Sequence, residues 1–241
     1  TKSMTATLAA LLVEEGLIQW HSTIADVYPE IVDSILEKHA SLQLQEFLSM
    51  TSGIRDDYDN PVLDGIDNQA DLLTQRQQGV PLVLSYDHQI PRGEYHYSNT
   101  NYAIAASMLE KVSAENWQTL ITNRLFSPLG ITNLGFGTPG TEGQLDQPLG
   151  HLVADDGEYQ GLFYTDPPIL GPAGLVNISL KEMMVYAAFH LKSFIGQDTV
   201  LNTTGLDLLY QERSNGYALG WGTIDNMIWH NGSNDYWFAE L

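Results

Sequence analysis

The spacing of apolar residues changes character once along this chain, and that change confines it to a mixed fold. Met4, Leu8, Leu11 and Leu12 recur at helical spacing and Gly16 stands where a glycine cap ends a helix. Leu42 to Met50 predicts a second helix, stopped by Thr51-Ser52-Gly53. Tyr102, Ala105, Leu109 and Val112 predict a third over 100–112. Ser113 then reads as the cap of a helix carrying Trp117, Leu120, Ile121 and Leu125. Ser179 and Glu182 form a capping-box pattern before an apolar face at Met183, Ala187 and Leu191. Over the last stretch the pattern becomes aromatic and β-branched. Tyr217 to Gly222, Met227 to Trp229 and Tyr236 to Leu241 read as strands of an antiparallel meander, separated by Asp225-Asn226 and by Asn231 to Asn234. The fold class is therefore α+β.

Between these elements lie weaker signals. Pro29 ends or diverts the segment that begins at Ile24, and a short amphipathic piece follows from Ile31 to Leu36. Residues 55–92 are polar, are broken by Pro61, Gly65, Gly79 and Pro81, and read as a long connection near a cleft. Residues 136–174 are rich in Gly and Pro and read as loop with short extended pieces. With 43% hydrophobic residues the chain can bury a sizeable core. Its longest apolar run, Met183 to Phe189, is far below the ~18 residues that a membrane span needs. The absence of cysteine excludes disulfides and thiolate metal sites. The net charge of −20 arises mainly from only ten Lys and Arg residues, and it disfavours nucleic acid and anionic lipid as partners.

Three short motifs carry chemistry. Thr1-Lys2 opens the first helix, Tyr97-Ser98-Asn99 precedes another, and His230-Asn231-Gly232-Ser233 lies between two strand-like runs. Each is weak alone. Tyr-x-Asn also occurs at Tyr58-Asp59-Asn60, but only Tyr97 feeds directly into an amphipathic helix; on its own it would read as a tyrosine tying a loop down. A lysine near a chain end ordinarily reads as a solvated charge. Gly232 would let a substrate backbone lie close to the strand. No G-x-S-x-G elbow, H-E-x-x-H spacing, P-loop or dinucleotide fingerprint occurs, so His21, His39, His88, His151 and His190 read as surface or packing residues. No cofactor and no metal are implied.

In this order the motifs resemble S-x-x-K, Y-x-N and K/H-x-G of the serine β-lactamase and penicillin-binding superfamily, closest to its branch of class C β-lactamases, D-alanyl-D-alanine carboxypeptidases and related esterases. Leu48-Ser-Met-Thr-Ser-Gly-Ile54, Ser127-Pro-Leu-Gly-Ile131, Pro172-Ala-Gly-Leu-Val176 and Tyr217-Ala-Leu-Gly-Trp-Gly222 also look like this family, with Met50 in place of a histidine. The resemblance implies a helical region beside an antiparallel sheet flanked by helices, with the sheet incomplete in this chain. Residues 1–20 would be the active-site helix belonging with the core, 21–175 the helical and loop region lining the cleft, and 176–241 a helix plus antiparallel strands. The family's nucleophilic serine would stand two places upstream of Thr1, so the resemblance implies a fragment cut just after it and inactive alone.

By the same resemblance, Lys2 and Tyr97 are the catalytic pair, and Asn99, His230, Gly232 and Ser233 bind substrate or serve the oxyanion hole. Serine needs a neighbouring base, and an amine held near a phenol can serve if each shifts the other toward working pH, the ammonium favouring phenolate. Histidine at 230, where many relatives carry lysine, is mostly neutral at pH 7, which favours D-amino-acid peptides or esters over β-lactams. Asn231 replaces the usual threonine. The expected activity is acyl transfer from a peptide, β-lactam or ester substrate, in the periplasm or outside the cell; the alternative is a non-catalytic binding module of the same fold.

Overall fold

The computed structural model describes residues 1–56, 64–197, 205–234 and 236–241. The second Tyr-x-Asn copy, at Tyr58, lies outside the described residues. Helix α1 (Lys2–Glu14) ends as its sequence predicts: Gly16 takes φ +75°, its N–H reaches the Val13 carbonyl at 3.0 Å, and Leu17 N–H reaches Leu12 at 3.0 Å. The helix is buried on every side from Lys2 to Leu12, rather than along one apolar stripe. Its polar residues are satisfied internally. Thr5 donates to the Pro172 carbonyl at 2.7 Å and Thr7 to the Ser3 carbonyl at 2.9 Å. Having spent its one hydrogen there, the Thr7 hydroxyl accepts from His190 Nε2 at 3.0 Å, which leaves His190 Nδ1 to accept from the Tyr210 hydroxyl at 2.8 Å. Burial holds His190 neutral, at about 3.

Helices α2 (Ile24–Val27), α3 (Glu37–Ala40) and α4 (Leu44–Leu48) lead into α5 (Leu72–Leu84), α6 (Asn99–Ser113) and α7 (Trp117–Ile121). Helix α6 is buried from Thr100 to Glu110 and packs against α1, α4 and α5. Two sequence expectations are corrected here. The segment 55–92, read as a connection, contains the thirteen residues of α5, capped by Asp71, which accepts from Thr74 N–H at 2.9 Å. Its inward face includes Arg76, fully buried against Glu110 of α6, so a charged residue occupies a position where a hydropathy pattern needs an apolar one. Ser113, read as the cap of α7, instead ends α6: Ala114 turns left-handed at φ 57°, and Asn116 caps α7.

Among the described residues, the later part of the chain forms α8 (Gly171–Gly174), α9 (Leu180–Phe194), α10 (Asp207–Tyr210) and eight short strands in four antiparallel pairs. Strand β1 (Leu134–Phe136) pairs with β4 (Val176–Ile178), and β2 (Gly150–Val153) with β3 (Tyr159–Leu162). Likewise β5 (Gly222–Ile224) pairs with β6 (Met227–Trp229), and β7 (Asn231–Ser233) with β8 (Phe238–Glu240). The class is α+β as the sequence predicts, and among the described residues the pairs do not join into one sheet. Asp225-Asn226 makes the expected turn, whereas Asn231 to Ser233, read as a turn, is strand. Tyr217 to Gly222, read as strand, mostly folds around Gly220 instead.

Helix α9 buries Glu182, Tyr186, Phe189, His190 and Ser193, and leaves Leu191 exposed. The inward face was misplaced because Tyr186 and His190 are held by hydroxyl groups of α1, a polar attraction that hydropathy does not register. Ser179 caps the helix, and the Glu182 carboxylate accepts from the Ser179 hydroxyl at 3.0 Å while its other oxygen accepts from the N–H groups of Thr132 and Asn133 at 2.8 and 2.6 Å.

Candidate active site

Lys2 heads α1, and Thr1 before it accepts from Val176 N–H of β4 at 3.1 Å, so the start of the helix is pinned to a strand. The Lys2 side chain enters a cage of three acceptors from three parts of the chain. Its ammonium donates to Asn99 Oδ1 at 2.7 Å, to the Tyr97 hydroxyl at 2.8 Å and to the Ala173 carbonyl at 3.0 Å. Each N–H of the ammonium thus has a partner. The charge also lies 4.8 Å from the ring centre of Tyr97 and 5.7 Å from that of Tyr102. Lys2 is only 7% exposed, not a solvated surface charge.

Tyr97 and Asn99 come from the start of α6, where Ser98 is the cap and accepts from Asn101 N–H at 3.3 Å. The Tyr97 hydroxyl donates to Asn99 Oδ1 at 3.2 Å. The identity of that amide atom is not in question, because Lys2 can only donate while Asn99 Nδ2 donates to the Asp56 carboxylate at 2.8 Å.

These contacts set the proton balance. Burial lowers Lys2 from 10.5 to about 8, partly opposed by Asp56 and Asp166. Tyr97 is 51% exposed as a residue, yet desolvation around its hydroxyl raises it to about 12, and the negative charges of Asp56 and Asp166 act in the same direction. Only half of the sequence expectation holds: the amine moves toward neutral pH and the phenol moves away from it. Lys2 is thus the group whose free amine becomes accessible near neutral pH, whereas Tyr97 keeps its proton.

His230 joins this cluster at one remove. Its Nδ1 donates to the Gly220 carbonyl at 2.9 Å, which puts the ring proton on Nδ1 and leaves Nε2 as an acceptor. Burial holds the imidazole well below its usual range, with the ammonium of Lys2 adding to the effect, so it is neutral at pH 7. Gly220 itself packs on α1: with φ +80°, a Cβ there would stand 2.9 Å from the Lys2 carbonyl and from Ser3 Cα. Gly220→Ala should therefore destabilise the protein by about 1–3 kcal/mol in a denaturant titration, through overpacking and a strained backbone. An unchanged unfolding midpoint would show that the contact is loose.

Gly232 and Ser233 lie on exposed β7, and no hydrogen bond ties them to the cluster among the described residues. A Cβ at Gly232 would meet nothing within 4 Å, so the space beside that strand is open. Sequence reasoning missed Ala173, Asp56 and Gly220. A backbone carbonyl has no sequence signature; Asp56 stands among other acidic residues in a polar segment, and Gly220 had been assigned to a strand. Among the described residues there is no group of three or more His, Asp or Glu placed to hold a metal, and no helix is long and apolar enough to cross a membrane.

A family profile described as Beta-lactamase matches residues 1–236. The chain is 26% identical to penicillin-binding protein 4 of Amycolatopsis lactamdurans, with 93% of the chain aligned to 61% of that protein. In structure it resembles an octameric penicillin-binding protein homologue from Pyrococcus abyssi, with TM-score 0.73, 19% identity, and 99% of this chain aligned to 57% of that one. It also resembles a D-stereospecific amidohydrolase from Streptomyces sp., with TM-score 0.66, 20% identity, and coverage of 96% and 69%. The chain thus spans about three-fifths of the length of its Amycolatopsis relative.

Proposed function

Because the chain belongs to the beta-lactamase family, we propose that it is the greater part of the catalytic region of a serine hydrolase whose nucleophile stands two residues before Thr1. The observation that carries this reading is the caged amine: Lys2, buried and held by Tyr97, Asn99 and Ala173, where desolvation lowers it to about 8. A buried lysine of that kind is costly to keep charged and is suited to general-base work.

The reaction is acyl transfer. Lys2 as the free amine takes the serine proton while the serine oxygen bonds to the substrate carbonyl carbon. The charge that develops on the carbonyl oxygen falls to two N–H groups, that of the serine and that of Ser233. The leaving group departs with a proton passed from Lys2 through the Tyr97 hydroxyl, 2.8 Å away, leaving an acyl-serine that water hydrolyses to the free acid. Asn99 holds Lys2, Gly232 leaves room for the substrate backbone, and neutral His230 lines the far side. An uncharged imidazole gives no fixed cation for a substrate carboxylate, so the substrate class is a peptide, notably of D-amino acids, or an ester, ahead of a β-lactam. The similarity to a D-stereospecific amidohydrolase agrees with that order.

Labelling of a serine-bearing parent by a fluorophosphonate tests this. The rate should rise with pH through about 8, because the reactive form is deprotonated Lys2, and then level off. Tyr97→Phe should cut turnover of an amide substrate by about 10²-fold or more. A rate that is flat from pH 6 to 9, or full turnover by the Tyr97→Phe enzyme, would refute these roles for Lys2 and Tyr97, whereas a parent that neither labels nor turns over substrate would favour a binding module of the same fold.

A further inference from the structure

A carboxylate outside the three motifs holds two residues at the start of α6. Asp56, in the loop after α4, uses both carboxylate oxygens on the first turn of α6: Oδ2 accepts from Asn99 Nδ2 at 2.8 Å, and Oδ1 accepts from Thr100 N–H and Thr100 Oγ1, each at 3.1 Å. We propose that Asp56 is a positioning residue, whose carboxylate locks the Asn99 amide so that its oxygen rather than its nitrogen faces the Lys2 ammonium. Asp56 is itself exposed, so the argument rests on these hydrogen bonds and not on a buried charge.

The chemistry demands a carboxylate at this place. Asn99 and Thr100 both present donors to residue 56, and only a carboxylate accepts at both ends. An asparagine there must turn its NH2 toward one of them. Facing Asn99, it drives that amide to flip and aims Asn99 Nδ2 at Lys2, donor against donor; facing Thr100, it opposes the backbone N–H. Alanine leaves the Asn99 amide unanchored but does not force the flip.

The proposal deepens the hydrolase reading and rests on it, yet its main test needs no nucleophile. The groups that face Lys2 are the Thr1 amino group, Tyr97, Tyr102, Asp56, Asp166 and His230. Titration of Lys2 by NMR in the chain should give a midpoint below the wild-type value of about 8 in Asp56→Ala and lower still in Asp56→Asn, because both lose a negative neighbour and the second also gains a donor. Thermal stability should rank the other way, since asparagine keeps an acceptor for Thr100 and alanine has none. A role confined to capping α6 gives the same order in both measurements and would overturn the proposal, as would an unchanged Lys2 midpoint. Should Asp56→Asn not fold, the Asn99 side-chain amide signals of the alanine variant decide: they should lose the single hydrogen-bonded environment they have in the wild type, and an unchanged Asn99 amide would overturn the proposal. In the serine-bearing parent at pH 9, Asp56→Asn should slow labelling by about 100-fold. Full labelling of that variant sinks the positioning role and leaves the hydrolase reading intact, whereas a wild-type parent that never labels sinks the hydrolase reading and leaves the NMR result standing.

Discussion

Replacement of Lys2 by methionine in a serine-bearing parent is expected to reduce labelling and turnover by about 10²–10⁴-fold, the range that a positioned general base supplies. Methionine fills nearly the same volume in a site that is 7% exposed, and it removes a charge whose burial is unfavourable, as the fall to about 8 records. The Tyr97 hydroxyl still donates to Asn99 Oδ1, so the cage keeps one of its hydrogen bonds. The melting temperature should therefore change little while the chemistry is lost. A methionine enzyme that retains a tenth or more of the wild-type rate would show that another group takes the serine proton.

The largest expected effect on stability lies elsewhere. Arg76 and Glu110 are both fully buried, with Arg76 Nη2 and Nε bonded to the carboxylate at 2.5 to 3.1 Å and Nη2 also reaching Gln118 at 3.2 Å. Glu110 also accepts from Trp117 N–H at 2.7 Å, so the pair fastens α5 to α6 and to the start of α7. Arg76→Met should cost about 3–5 kcal/mol, because it leaves a carboxylate buried without its cation. Glu110→Leu should cost a similar amount by stranding the guanidinium. The double variant should recover much of the loss, since a buried ion pair and an apolar pair of similar volume are often close in stability. Urea titration of the three variants checks this. Additive losses in the double variant would mean that the two charges contribute independently.

The clearest sequence signals were those in which one residue type has one mechanical use. Gly16 ends α1, Asp225-Asn226 turns β5 into β6, and Ser179 caps α9, because backbone geometry admits few alternatives at those places. Helix α5 was hidden because its inward face carries Arg76, whose burial depends on Glu110 thirty-four residues later. The face of α9 was misread for the same reason, with Tyr186 and His190 turned inward by hydroxyl groups of α1. In the candidate site, Lys2, Tyr97 and Asn99 are adjacent in space as their motif order suggested. The pieces that complete the cage were out of reach: a carbonyl at Ala173 contributed by fold, and a carboxylate at Asp56 whose partners lie forty-three and forty-four residues away.

The most direct test of the account is to locate the covalent bond. A parent chain extended upstream of Thr1 is treated with a fluorophosphonate, digested and mapped by mass spectrometry. A single adduct is expected on a serine two residues before Thr1, absent when that serine is alanine. An adduct on any other residue, or a different amino acid at that place in a parent that still turns over substrate, would contradict it.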